Sequence, residues 1–103
     1  MTRTIKIDKL GRIILPDNFL NVRKGEKVTV FYFDNYIYIC DKKDDIKDVD
    51  IEEGKTLYEN LRKIDNMNRV CIPIEIRKML MIEYKTELNI IKCNNYLKIL
   101  KVK

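Results

Sequence analysis

The sequence predicts a mostly β fold with short helices, in which two tandem units interleave their hairpins into one small barrel. Three observations predict it. The first is an internal repeat. Residues 5–16, IKIDKLGRIILP, answer residues 62–73, RKIDNMNRVCIP, so that Asp8 meets Asp65, Arg12 meets Arg69 and Pro16 meets Pro73, each 57 residues on. Further along, DNYIYI at 34–39 answers NNYLKI at 94–99, now 60 residues on. The second is size. Each unit is about 40 residues, below the length at which an isolated core is usually stable, so neither buries its hydrophobic face alone. The third is the run from Val28 to Phe33, apolar at nearly every position. Such a strand is buried on both sides, which a lone hairpin cannot achieve.

The elements follow in order. In unit one (1–40), Ile5 and Ile7 alternate with Lys6 and Asp8, a strand with one wet face. Gly11 marks a turn, and Ile13-Ile14-Leu15 is a short strand closed by Pro16. Val28 to Phe33, the turn Asp34-Asn35 and Tyr36 to Cys40 form a hairpin. Residues 41–61 are an acidic linker with a single glycine, whose later part feeds the first strand of the next unit. In unit two (62–103), Val70-Cys71-Ile72 closes at Pro73. A proline suits the first turn of a helix. Ile76, Met79 and Leu80 then fall on one helical face, with Glu75, Arg77 and Lys78 mostly away from it. Leu88 to Lys92, Asn94-Asn95 and Tyr96 to Val102 repeat the hairpin. Between Pro16 and Leu20 unit one is three residues shorter than unit two between Pro73 and Leu80, close to one helical turn. Asp17-Asn18-Phe19 offers no match for Arg77 and Lys78.

Composition narrows the function. The net charge is +5, distributed as +3 over residues 1–40, −4 over 41–61 and +6 over 62–103. Two basic units joined by an acidic bridge attract polyanions, of which nucleic acid is the commonest. No run approaches the ~18 apolar residues of a membrane span. Cys40, Cys71 and Cys93 form no CxxC pair and there is no His, which argues against structural zinc and for reduced thiols in the cytoplasm. Gly54-Lys55-Thr56 looks like the end of a phosphate-binding loop, but Val49 stands where that motif needs its first glycine. Asp8 and Asp65, without a catalytic partner, read as acceptors for backbone N–H groups in turns. No cofactor and no enzymatic activity are expected. The matched Tyr36 and Tyr96 read as packing residues rather than base-stacking ones.

At the doubled motif the sequence resembles the AbrB-like, or SpoVT-AbrB, family of bacterial transition-state regulators and the related MazE-type antitoxins. The pattern is a basic residue, an apolar one, Asp, two variable residues, Gly-Arg, an apolar stretch, Pro and an amphipathic helix with a basic pair. Unit two carries it as Arg62-Lys63-Ile64-Asp65, Arg69-Val70-Cys71-Ile72-Pro73, Ile74-Glu75-Ile76-Arg77-Lys78 and Leu80-Met81-Ile82. Unit one carries it as Lys6-Ile7-Asp8-Lys9-Leu10-Gly11-Arg12-Ile13-Ile14-Leu15-Pro16 and at Leu20-Asn21-Val22. The tandem arrangement also resembles the MraZ family, as an architectural parallel only. The resemblance implies a swapped-hairpin β-barrel and DNA binding through Arg62, Arg69, Arg77 and Lys78, with Lys63 beside them, and through Arg12 in unit one, where Lys6, Lys9 and Arg3 are the nearest substitutes for the rest. Asn68 stands where the family has Gly, and Met81 where a helix-ending Gly is usual.

The expected function is therefore a sequence-specific, nucleoid-associated cytoplasmic regulator that binds double-stranded DNA, its footprint led by unit two, with Arg69 contributing more than Arg12. The alternatives are an antitoxin, whose toxin partner would meet the acidic 41–61 segment, and an interaction module that does not bind DNA. The 21 linker residues reach at most about 70 Å, far beyond the width of a small barrel, so exchange within one chain is expected, with self-association into a dimer of such barrels through a separate surface.

Overall fold

The computed structural model describes residues 2–16, 25–41, 57–93 and 96–102. Unit one contributes β1 (Thr2–Lys6), β2 (Arg12–Ile14), β3 (Lys27–Phe33) and β4 (Tyr36–Cys40). Unit two contributes β5 (Leu57–Lys63), β6 (Arg69–Cys71), helix α1 (Ile74–Met79), β7 (Glu87–Lys92) and β8 (Tyr96–Lys101). Residues 57–61, at the end of the acidic segment, thus form part of β5. The Asn94-Asn95 turn, the Asp17-Asn18-Phe19 and Leu20-Asn21-Val22 segments and the Gly54-Lys55-Thr56 tripeptide lie outside the described residues.

Local chemistry accounts for the joints. Asp34 and Asn35 both take positive φ, 52° and 68°, as a two-residue hairpin turn demands. Helix α1 opens after Pro73 at its N-cap. It closes where the N–H groups of Met81 and Ile82 donate to the carbonyls of Lys78 and Arg77, with Met81 left-handed at φ 55°. Ile76 is buried and Leu80 packs on the core, but Met79, expected on the same face, is exposed. With only six residues, α1 turns one narrow edge to the sheet.

All strand pairs are antiparallel, in one sheet of order β1-β7-β8-β4-β3-β5 and a separate ribbon of β2 and β6. The first strand of each unit pairs with the hairpin of the other. Ile5 lies opposite Leu88, and its repeat mate Arg62 lies opposite Val28, itself the mate of Leu88. Two pairs join a residue to its own mate, Ile13 to Val70 in the ribbon and Tyr38 to Lys98 at the centre of the sheet. In an antiparallel ladder that places a local twofold axis at each pair.

The main core contains Ile7, Ile13, Leu15, Val28, Val30, Ile37 and Ile39 from unit one and every one of their mates, Ile64, Val70, Ile72, Leu88, Ile90, Leu97 and Ile99, from unit two. Ile76 and Ile82 of unit two complete it. The units share one core, as their length requires. On the other face of the sheet Phe31 stacks on Tyr38, ring centroids 5.1 Å apart, in a second buried cluster with Cys40 and Tyr96. β3 is thus buried on both faces from Val28 to Phe31 and half-buried at Tyr32 and Phe33. Burial, with Tyr36, Asp34 and Cys93 close by, pushes the Tyr38 hydroxyl up to about 12.

The expected barrel does not close. β1 and β5 are the two edges of the six-stranded sheet and do not pair, and the ribbon forms no ladder with either. Ile13 and Val70 of the ribbon are nevertheless buried in the core, so side-chain packing covers the open side where hydrogen bonds do not. Among the described residues no helix is long and apolar enough to cross a membrane.

Candidate nucleic-acid interface

The site is built on the ribbon and the two turns that lead into it. In a strand successive side chains alternate between faces. Ile13 and Val70 point into the core, which leaves Arg12, Ile14, Arg69 and Cys71 on the outer face. Arg12 lies opposite Cys71, and Ile14 opposite Arg69, so the arginines sit on a diagonal across the local axis.

Each arginine is held by the aspartate of its own turn, in the same way in both units. Asp8 Oδ1 accepts the N–H groups of Leu10 and Arg12 at 2.9 and 2.8 Å, and its Oδ2 accepts Arg12 Nε at 2.8 Å. Asp65 does the same with Met67, Arg69 and Arg69 Nε at 2.9, 2.8 and 2.8 Å. Arg12 Nη1 also stands 3.9 Å from Asp65 Oδ2, linking the units. Burial raises the pKa of both carboxyls, but the backbone and guanidinium hydrogen bonds outweigh it and hold them below the ordinary carboxylate range. These aspartates therefore stay charged and orient the arginines. A guanidinium has five N–H donors, so an arginine anchored through Nε keeps donors for a base edge or a phosphate.

The turns require left-handed residues, Gly11 at φ 79° and Asn68 at φ 60°. Asn tolerates that region better than most residues, so Asn68 makes in unit two the turn that Gly11 makes in unit one. Around the turns the two sides differ. The guanidinium of Arg77, from unit two, lies against Gly11 of unit one, where a Cβ would come within 2.6 Å of Nε and Nη1. Arg77 Nε donates to the Ile72 carbonyl at 2.9 Å. At the matched place Asn68 Nδ2 donates to the Leu15 carbonyl at 3.0 Å. The helix arginine of unit two thus borders the turn of unit one, not its own.

A comparison with protein-family models finds no match, and a comparison with curated proteins finds none either.

The remaining expected residues spread further. Lys9 is exposed in the first turn and Lys78 on α1. Lys6 and Lys63, exposed, end β1 and β5 opposite Glu87 and Lys27 respectively. Arg3 is exposed on edge strand β1. Arg62 is half-buried on β5, and its Nε is buried with no hydrogen-bond partner among the described residues. Lys85 escaped the sequence reading, and Tyr84 entered it only among the tyrosines weighed for base stacking. Tyr84 is half-exposed, with Lys9 Nζ 5.5 Å and Lys85 Nζ 5.3 Å from its ring centre. The repeat offset of 60 carried a signal for Lys85, whose mate is Gly25. Among the described residues no group of three or more His, Cys, Asp or Glu side chains could hold a metal ion.

Proposed function

We propose that this protein is a sequence-specific DNA-binding regulator, a single-chain counterpart of the AbrB-like swapped-hairpin unit, that reads duplex DNA with the outer face of the β2–β6 ribbon and its flanking turns. The observation that carries the reading is the pair Arg12 and Arg69, repeat mates on one ribbon face, each fixed through Nε by its own aspartate at 2.8 Å. A two-stranded ribbon fits the major groove, and an arginine fork matches the guanine edge there. The cross-pairing of β1 with β7 and β5 with β3 supports exchange of hairpins within one chain. A dimer of such units would then present two ribbons, and light scattering over a concentration series tests that step. The antitoxin reading depends on the acidic 41–61 segment, of which 42–56 lie outside the described residues, and no structural observation favours it.

The test is selection of duplexes from a random pool, followed by binding over a salt series. Affinity should fall steeply with salt and favour a selected sequence. No salt-sensitive binding to any duplex, the protein's own upstream region included, would sink the proposal.

A further inference from the structure

We infer that the DNA-binding face has unequal halves and that the leading half is composite. The turn of unit one and the helix and following turn of unit two together make the principal contact, and Tyr84 with Lys85 adds a phosphate contact. This rests on the DNA-binding reading above.

The matched positions carry the argument. Around the turn that carries Arg12 stand Lys9, within it, the Arg77 guanidinium against Gly11, and Lys85, whose ammonium, like that of Lys9, lies by the Tyr84 ring. The backbone holds this group together, because Lys85 N–H donates to the Ile7 carbonyl at 3.1 Å, just before the first turn. Beside Arg69 the corresponding places among the described residues hold neutral groups: Asn66 for Lys9, Asn68 with its amide on the carbonyl matching that of Ile72, and Gly25 for Lys85. The backbone singles out Lys85 in particular. It sits at φ 70°, where its mate Gly25 sits at φ 89°. A lysine held left-handed is strained where glycine is not, and Gly25 takes the left-handed conformation at the matched place in unit one. Strain retained at an exposed residue points to use of its side chain. Here that side chain and Lys9, one from each unit, hold their ammonium groups 5.3 and 5.5 Å from the ring centre of half-exposed Tyr84, a gathering of positive charge suited to a phosphate. Arg23 and Lys24, mates of Glu83 and Tyr84, lean the other way but lie outside the described residues; of the described positions two do so, Lys27 (mate Glu87) and Arg62 (mate Ile5). Both belong to β3 and β5 rather than to a turn, and the Arg62 Nε is buried.

The experiment measures fluorescence anisotropy of a selected duplex with the full chain across a salt series. Contrary to the order expected from the sequence, Arg12→Ala should lower affinity about tenfold or more, and Arg69→Ala by less. Lys85→Gly should weaken binding and reduce the slope of log K against log salt by about 1. Its thermal midpoint should hold or rise, since glycine relieves the backbone. Should either alanine variant fail to fold, Arg12→Lys against Arg69→Lys, which keep the charge and lose the fork, makes the same comparison. With wild-type binding intact, a loss at Arg69 equal to or above that at Arg12, or an unchanged salt slope in Lys85→Gly, overturns the inference and leaves the regulator reading standing. Absence of salt-sensitive binding by the wild type overturns both.

Discussion

At Gly11 the guanidinium of Arg77 fills the space a side chain would take; at Asn68, its repeat mate, the side chain is present and donates to the carbonyl of Leu15. Leu15 and Ile72 are themselves mates, so the Ile72 carbonyl is satisfied by an arginine five residues on in its own unit and the Leu15 carbonyl by an amide from the other unit. The three residues missing from unit one remove the position that matches Arg77. The loss of that arginine and the change of glycine to asparagine are therefore two sides of one exchange. In isolation Asn68 looks like an eroded glycine. In the folded pair it replaces a donor, and the two halves keep the same backbone with different charge.

The largest expected effect comes from making the halves alike. Gly11→Asn places a side chain against the Arg77 guanidinium, and overpacking of this kind destabilises by about 2 kcal/mol. Arg77→Ala alone removes one hydrogen bond, about 1 kcal/mol. Together they should be more stable than Gly11→Asn alone, because the new amide can reach the Ile72 carbonyl as Asn68 reaches that of Leu15. Urea unfolding of the four members of this cycle measures the coupling. Additive losses would show that Asn68 and Arg77 do not fill equivalent roles.

Much of this was legible in the repeat. The offset of 57 marks Ile13 and Val70 as mates, and they pair with each other. The Asp34-Asn35 turn, the helix start after Pro73 and the aspartates as turn acceptors all follow from local chemistry, which neighbours in sequence determine. What could not be read is whatever depends on which unit meets which. The contact of Arg77 with Gly11 joins residues 66 positions apart by an exchange that no local pattern encodes. The exposure of Met79 depends on how α1 is rotated on the sheet, and the failure of β1 and β5 to pair depends on the curvature of all six strands.

A second measurement sharpens what the halves share. Asp8 and Asp65 accept the same three hydrogen bonds at the same distances, so Asp8→Asn and Asp65→Asn should lower the thermal midpoint by similar amounts. The pH dependence has a definite sign. Both folded pKa values lie below the ordinary carboxylate value of about 3.9. The unfolded chain then binds more protons in the window beneath that value, and stability falls as pH drops through the folded pKa. Each Asn variant should show a shallower acid transition than the wild type. A much larger loss at one site would mean that the 3.9 Å contact of Arg12 Nη1 with Asp65 makes the halves unequal here too.

The smallest effect separates backbone strain from function. Met81 and Lys85 are both left-handed, at φ 55° and 70°, in the same stretch of unit two. Met81 is 74% exposed, and its carbonyl, which any residue supplies, accepts Lys101 Nζ at 2.9 Å. Met81→Gly therefore gives up little packing and relieves the backbone. Set against the greater chain entropy of glycine in the unfolded state, the net gain is roughly 0.5–1 kcal/mol. Thermal unfolding should show a higher midpoint. Affinity for the selected duplex should stay at the wild-type level, whereas Lys85→Gly, with the same backbone relief, should lose affinity. If both glycine variants bind as the wild type does, strain at Lys85 is no more than the geometry of the turn; if Met81→Gly also weakens binding, the contact surface extends past the end of α1.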